Sequence, residues 1–265
     1  FEKALAINPD QADALGQVAG LYIEKGDEEQ ALKRCEAQLK LASRPAPIYQ
    51  IIGQIHQVKK DFKKAEEGYK KAIETDANLL SAYMALGSLY IQNKSFDQAI
   101  KQYEGVKKVN PKTIAPYVLI GIIYDQLQEY DKANIEYEGA LKIDPKLAPA
   151  ANNLAWNYSE HGGNIDVALS LAETARERLP EDPSVADTLG WIYYKKNVYL
   201  KAIGLLKETA EKLETNPVIR YHLGMAYYKN GNKDQAKKEL EASLKLNENY
   251  PGAEEARKTL RELKE

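Results

Sequence analysis

The sequence is poor in the residues that carry chemistry. Its one cysteine, Cys35, excludes an internal disulfide framework and leaves the redox compartment open. Three histidines with no clustered acid–histidine spacing leave little for catalysis, and no metal site or cofactor is expected. No glycine-rich phosphate loop, H-E-x-x-H or C-x-x-C pattern occurs. No run of about 18 apolar residues exists, so no segment is long enough to cross a bilayer as a helix. A formal net charge of −2 gives no electrostatic case for nucleic acid as the main partner. The first residues hold no basic segment followed by an apolar run, so no targeting peptide is visible. Phenylalanine is scarce too, three against 18 tyrosines, a bias toward an aromatic that is half buried and half wet.

What is present is a repeat. In 265 residues, 44% hydrophobic and 29% charged, a small residue recurs at Ala19, Gly53, Gly87, Gly121, Ala155, Gly190 and Gly224. An alanine recurs at Ala31, Ala65, Ala99, Ala133, Ala168, Ala202 and Ala236. Both series step by 34, with one step of 35 that places an extra residue in His161-Gly162-Gly163-Asn164. Leu80–Pro111 is the clearest copy. Tyr83, Leu86, Gly87 and Tyr90 fall on one face of a first helix, Asn93-Lys94-Ser95 turns, and Ala99, Tyr103 and Val106 mark a second helix. Pro111 closes it, as a proline can stand at a helix boundary but not in its interior.

The period, the Tyr-x2-Leu-Gly-x2-Tyr pattern and the closing prolines Pro9, Pro111, Pro145 and Pro180 resemble the tetratricopeptide repeat (TPR). The resemblance implies an all-α fold: a right-handed superhelical solenoid of about seven antiparallel helix pairs with a C-terminal capping helix. The expected layout is one array. Residues 1–11 are the second half of a truncated repeat, and repeats follow at 12–45, 46–79, 80–113, 114–147, 148–182, 183–216 and 217–250. Residues 251–265 are the capping helix, with Ala253, Ala256 and Leu260 on one face. A start in mid-repeat and a capped end suggest the C-terminal portion of a longer protein, and an open helix face at Phe1 would favour homo-oligomers. Cys35 and Ala172 stand where other copies carry Tyr69, Tyr103 and Tyr137, so looser second helices are expected there. His56 and Cys35 read as packed core residues.

Charge is uneven: residues 46–113 carry eleven Lys and Arg against seven Asp and Glu, while residues 114–182 carry five against twelve. Most of it falls on second helices, which in this architecture form a solvated outside. First helices line the concave face in the family, and a register three and four residues apart along them gives the expected groove. Its members with binding potential are Gln50, Gln54 and Gln57 early, then Asn152, Asn153 and Trp156, then Asp187, Trp191 and Tyr194, then Tyr221, Met225 and Tyr228. Trp156 and Trp191, the only tryptophans, share one register in adjacent copies; either they bind a partner or they pack internally.

These residues lead to a noncatalytic scaffold, not an enzyme, that binds a protein or peptide partner in a concave groove; a sugar chain is the other occupant the aromatics would suit. The groove lacks the paired Lys and Arg with which some family members clamp acidic C-terminal tails, and only Asn152 and Asn153 resemble the asparagine ladder of O-linked N-acetylglucosamine transferase. The string around DTLGWIYY is similar to bacterial exopolysaccharide- and exosortase-associated TPR proteins. That likeness implies an envelope component in the periplasm; the alternatives are a cytoplasmic scaffold and the targeting domain of a larger enzyme.

Overall fold

A computed structural model describes residues 1–263 as helices joined by short links, with no strand among the described residues. They divide into two compact units, the first Phe1–Ile123, the second beginning at Tyr124. The first contains α1 (Glu2–Ile7), α2 (Ala12–Glu24), α3 (Glu28–Leu39), α4 (Ala46–Val58), α5 (Phe62–Thr75), α6 (Leu80–Gln92), α7 (Phe96–Val109) and most of α8 (Ile114–Gln126). The second contains the end of α8, then α9 (Tyr130–Ile143), α10 (Ala148–Glu160), α11 (Ile165–Arg178), α12 (Pro183–Lys195) and α13 (Tyr199–Lys212). It closes with α14 (Pro217–Lys229), α15 (Lys233–Leu246) and α16 (Ala253–Glu262). From α2/α3 to α14/α15 the helices form seven sequential pairs, with α1 before them and α16 after. Of the terminal segment expected as a capping helix, Lys264 and Glu265 lie outside the described residues.

Within a pair, packing follows residue size. A Cβ added at Gly53 would lie 2.7 Å from the Tyr69 ring, and one at Gly87 would lie 2.4 Å from the Tyr103 ring. At Gly190 and Gly224 the facing residues are Leu206 and Leu240, at 2.8 and 2.7 Å. Where the first helix carries alanine, at Ala19 and Ala155, the second carries the small Cys35 and Ala172, and these join the same cores. Cys35 and Ala172 are both 0% exposed, so each second helix still buries this position in the core of its pair. Burial pushes the Cys35 thiol up to about 12, which leaves it an inert core residue.

The tyrosine bias has a matching cause. Tyr90, Tyr158 and Tyr193 pack their rings and donate their hydroxyls to Glu66, Glu138 and Glu173 of the preceding second helix, at 2.8, 2.6 and 2.9 Å. Each ring is buried or half buried while its hydroxyl reaches a polar partner.

The turn inside each pair needs one left-handed residue. It falls at Gly26, Lys60, Lys94, Gln128, Gly162, Asn197 and Gly231. Only three of these are glycine, so four turns hold a side chain where L-residues are strained. The turn after α10 is one residue longer than the others, 161–164 against three, and Asn164 caps α11 by accepting from Asp166 N–H and Val167 N–H. Between pairs, the side chains of Asn8, Asp76, Asn110 and Asp144 each accept from the N–H two residues on, an Asx turn that starts the link to the next first helix. The link before α4 lacks one. There Asp10 accepts from Ser43 N–H and Oγ and from Arg44 N–H, at 2.8, 2.5 and 3.0 Å.

Candidate functional site

In the first unit, the first-helix faces of α2 and α4 enclose an open hollow of about 560 Å³. Gly16 supplies bare backbone, with only Ile51 as near as 4.0 Å to an added Cβ, and Gln17, Gln50, Gln54 and Ser81 supply polar groups. Gln50 accepts from the Ser81 hydroxyl at 2.7 Å, whereas Gln54 is exposed and makes no side-chain hydrogen bond among the described residues. Gln57 stands outside the hollow. It accepts from Tyr69 Oη at 2.6 Å and donates to Gln92 at 2.9 Å, so it ties its pair together.

In the second unit the predicted residues separate into three groups. Asn153 Nδ2 donates to Tyr137 Oη at 3.1 Å, Tyr137 donates to Asp125 at 2.6 Å, and the buried Asn157 donates to the other Asp125 oxygen at 2.7 Å. Burial, with the Asp125 carboxylate second, pushes the Tyr137 hydroxyl well above its usual range. Asn152, next in sequence, keeps a buried Oδ1 with no partner.

The second group is aromatic. Trp191 is 6% exposed and stacks between Tyr194 (centroids 4.5 Å apart) and His222 (4.1 Å), while Trp156, half buried, tilts toward His222 at 6.0 Å. The Trp191 indole donates to Glu160 at 2.7 Å, and Asp187 holds His222 Nδ1 at 2.9 Å. Burial, followed by the nearby Glu255 charge, pushes Tyr194 up to about 12. For Trp191 the packing alternative is therefore the geometry observed.

The third group is covered by α16. Tyr221 is 4% exposed and Met225 2% exposed, and both pack with Trp191, Leu240 and Ala256. Tyr221 Oη donates to Glu255 at 2.5 Å, Tyr228 Oη to Glu262 at 2.7 Å, and Thr259 Oγ1 meets Met225 Sδ at 3.6 Å. Small residues at Ala253, Ala256 and Thr259 let α16 settle on this face. Gly252, at φ 103°, turns the chain there, and a Cβ on it would lie 2.4 Å from the Tyr221 ring. Tyr221, Met225 and Tyr228 are thus occupied by the chain's own terminal helix.

Between the second and third groups lies a cavity of about 360 Å³, lined by Trp156, Trp191, Tyr194, Tyr221 and His222 with Glu160, Lys195 and Glu255 at its polar parts. His222, Glu160, Lys195 and Glu255 are absent from the sequence-derived set. Glu160 was within reach of that reasoning, four residues beyond Trp156 on the same helical face. His222 falls one position off the register, whereas Glu255 stands 34 residues after Tyr221 and continues the register into α16. Elsewhere, His56 is partly buried, with Nδ1 unpartnered at hydrogen-bond range and 4.0 Å from Asp61; burial lowers its pKa. His161 is exposed and stacks on Tyr130 at 3.4 Å. Among the described residues no group of three His, Cys, Asp or Glu could hold a metal ion.

The helix pairs and their glycine-to-aromatic packing define a TPR protein. Residues 46–79, 80–113 and 114–147 each match the tetratricopeptide repeat family, and residues 161–243 match the family described as anaphase-promoting complex, cyclosome, subunit 3. The chain is built of tetratricopeptide repeats. A tetratricopeptide repeat protein from Parabacteroides merdae has the same fold, with a TM-score of 0.58 at 17% identity over 96% of this chain and 99% of that one. A chain of the APC/C hetero-tetramer Cut9–Hcn1 gives a TM-score of 0.65 at 17% identity, covering 100% of this chain and 51% of its own, so this chain spans about half of it. YrrB, a TPR protein with an unusual peptide-binding site, gives 0.61 at 18% identity over 73% of this chain and 100% of that one. No curated protein matches the sequence significantly.

Proposed function

We propose that the chain is a noncatalytic scaffold that holds segments of partner proteins on the first-helix faces of its repeats. The observation that carries this is the open hollow of the first unit, where Gly16 bares backbone and Gln54 has its whole amide unspent. An extended peptide offers N–H and C=O groups in alternation, and an amide side chain can both donate to and accept from them. Gln50 and Gln54 are the contact residues in this unit. In the second unit the faces of α10 and α12 contribute Asn152, Asn153, Trp156 and Asp187, with large contact area and polar handles together.

Filling the hollow tests the proposal. Gly16→Leu places a side chain where an added Cβ meets only Ile51 at 4.0 Å, so the fold should tolerate it and helix propensity should favour it by about 0.5–1 kcal/mol. Peptides enriched from a random displayed library on the wild-type chain should lose binding to Gly16→Leu while its melting temperature holds or rises. Failure to enrich any peptide, or equal capture by the filled variant, would sink the reading.

A further inference from the structure

We propose that the cavity at the start of α16 takes one arginine side chain of a partner peptide. This rests on the scaffold reading above and specifies what the second unit selects. Trp156, Trp191, Tyr194 and Tyr221 line a volume of about 360 Å³; Tyr194 and His222 cover the faces of Trp191, so the half-buried Trp156 supplies the ring that can receive a cation. A cation over such rings is drawn to the electron-rich face, more strongly when water is excluded. One cation already stands at this cavity: Lys195 pairs with Glu160 at 2.7 Å, its ammonium 6.0 Å from the Trp191 ring centroid.

The second carboxylate has no such partner. Glu255 accepts from the Tyr221 hydroxyl at 2.5 Å, and no Lys or Arg lies within ion-pair range of it among the described residues. Its neighbour Glu254, which does not line the cavity, pairs with Arg257 instead. Glu255 is therefore held by a neutral donor, facing a cavity walled by aromatics, with lone pairs to spare. The indole N–H of Trp156, half buried at the same cavity, also has no acceptor among the described residues, which leaves it for a peptide carbonyl. Arginine fits this set better than lysine does. Its guanidinium is planar, weakly hydrated and able to stack on a ring while its edge forks to a carboxylate. A neutral sugar could stack on the same rings but would leave the Glu255 charge unmatched.

The chain holds two tryptophans, and both line this cavity, so intrinsic fluorescence reads its occupancy directly. The probes are a capped Gly-Arg-Gly peptide and its counterpart with citrulline, which keeps the shape and removes the charge. The arginine peptide should change the fluorescence saturably, citrulline should bind about tenfold more weakly or worse, and rising salt should weaken the arginine response. Glu255→Gln keeps an acceptor for Tyr221 and removes the charge, so it should lose about tenfold for arginine and little for citrulline, with helicity by circular dichroism unchanged. Lys195→Met frees Glu160 and should tighten arginine binding severalfold. Equal binding of arginine and citrulline, wild-type affinity in Glu255→Gln, weaker arginine binding in Lys195→Met, or no saturable change would overturn the proposal. If library peptides still bind and depend on Gly16 while the arginine peptide does not, the arginine inference alone fails.

Discussion

Replacing Gly87 by alanine sets two known effects against each other at one methyl group. In a helix interior the change gains about 1 kcal/mol from backbone propensity. Here the new Cβ would stand 2.4 Å from Tyr103 Cε1, 2.7 Å from Cζ and 3.0 Å from Cδ1. Tyr103 is 1% exposed, so the ring has no free space to swing into, and overpacking of this kind costs about 1–3 kcal/mol. Contact with a rigid ring at three atoms argues for the upper half of that range, a net loss of about 1–2 kcal/mol after the propensity gain. Gly20→Ala is the control, because nothing lies within 4 Å of its Cβ and only the gain should appear. Tyr103→Cys alone leaves a cavity and should cost about 3–5 kcal/mol. Combined with Gly87→Ala it recreates the Ala19/Cys35 pairing, so the double variant should be more stable than additivity allows by about 1–3 kcal/mol. Urea unfolding followed by helical circular dichroism measures the four variants against the wild type. A neutral or stabilising Gly87→Ala, or an additive cycle, would refute the size-matching account.

The left-handed turn residues offer a stabilising change: Lys94 (φ 57°) replaced by Gly should raise stability by about 0.5–1 kcal/mol, and Asn197→Gly by less, since asparagine tolerates that region. Thermal melting of the two single variants checks the order. The buried tyrosines make the fold sensitive to alkali. Tyr69, Tyr103 and Tyr194 are each pushed up to about 12, chiefly by burial. Their folded forms keep the proton that the unfolded chain sheds from about pH 10, so stability is full below pH 10 and falls as pH rises toward 12. Tyrosinate absorbance should therefore appear in two phases, the later one together with loss of helicity; a single phase near pH 10 with helicity intact would contradict the burial argument. Trp191→Ala should cost about 3–5 kcal/mol because the indole is packed on both faces, while the half-buried Trp156→Ala costs clearly less in the same denaturation assay.

The repeat makes legible what every copy needs in order to pack: the helix pairs, the small residue of the first helix, the half-wet tyrosines and the place of the extra turn residue. Cys35 and Ala172 have to be read together with the small residue of the neighbouring helix, Ala19 or Ala155, that shares their core. The limit of the register argument is physical. It places a residue on a face but does not say what covers that face, and here α16 rests on α14 and α15. Tyr221 and Met225 are packed beneath α16 there, and Tyr228 is tied to it through Glu262, although all three keep the groove register. The register in fact carries on into α16: Glu255, Thr259 and Glu262 stand 34 residues after Tyr221, Met225 and Tyr228 and meet them, and Glu255 lines a cavity together with residues of α10, α12 and α14. Internal copies make the same kind of contact about one period apart, Ser81 with Gln50, Asn157 with Asp125 and His222 with Asp187, so each first helix covers part of the one before it. The period therefore says which faces meet, and what stands on them, amides on α4 and aromatics on α10, α12 and α14, decides what a face can hold.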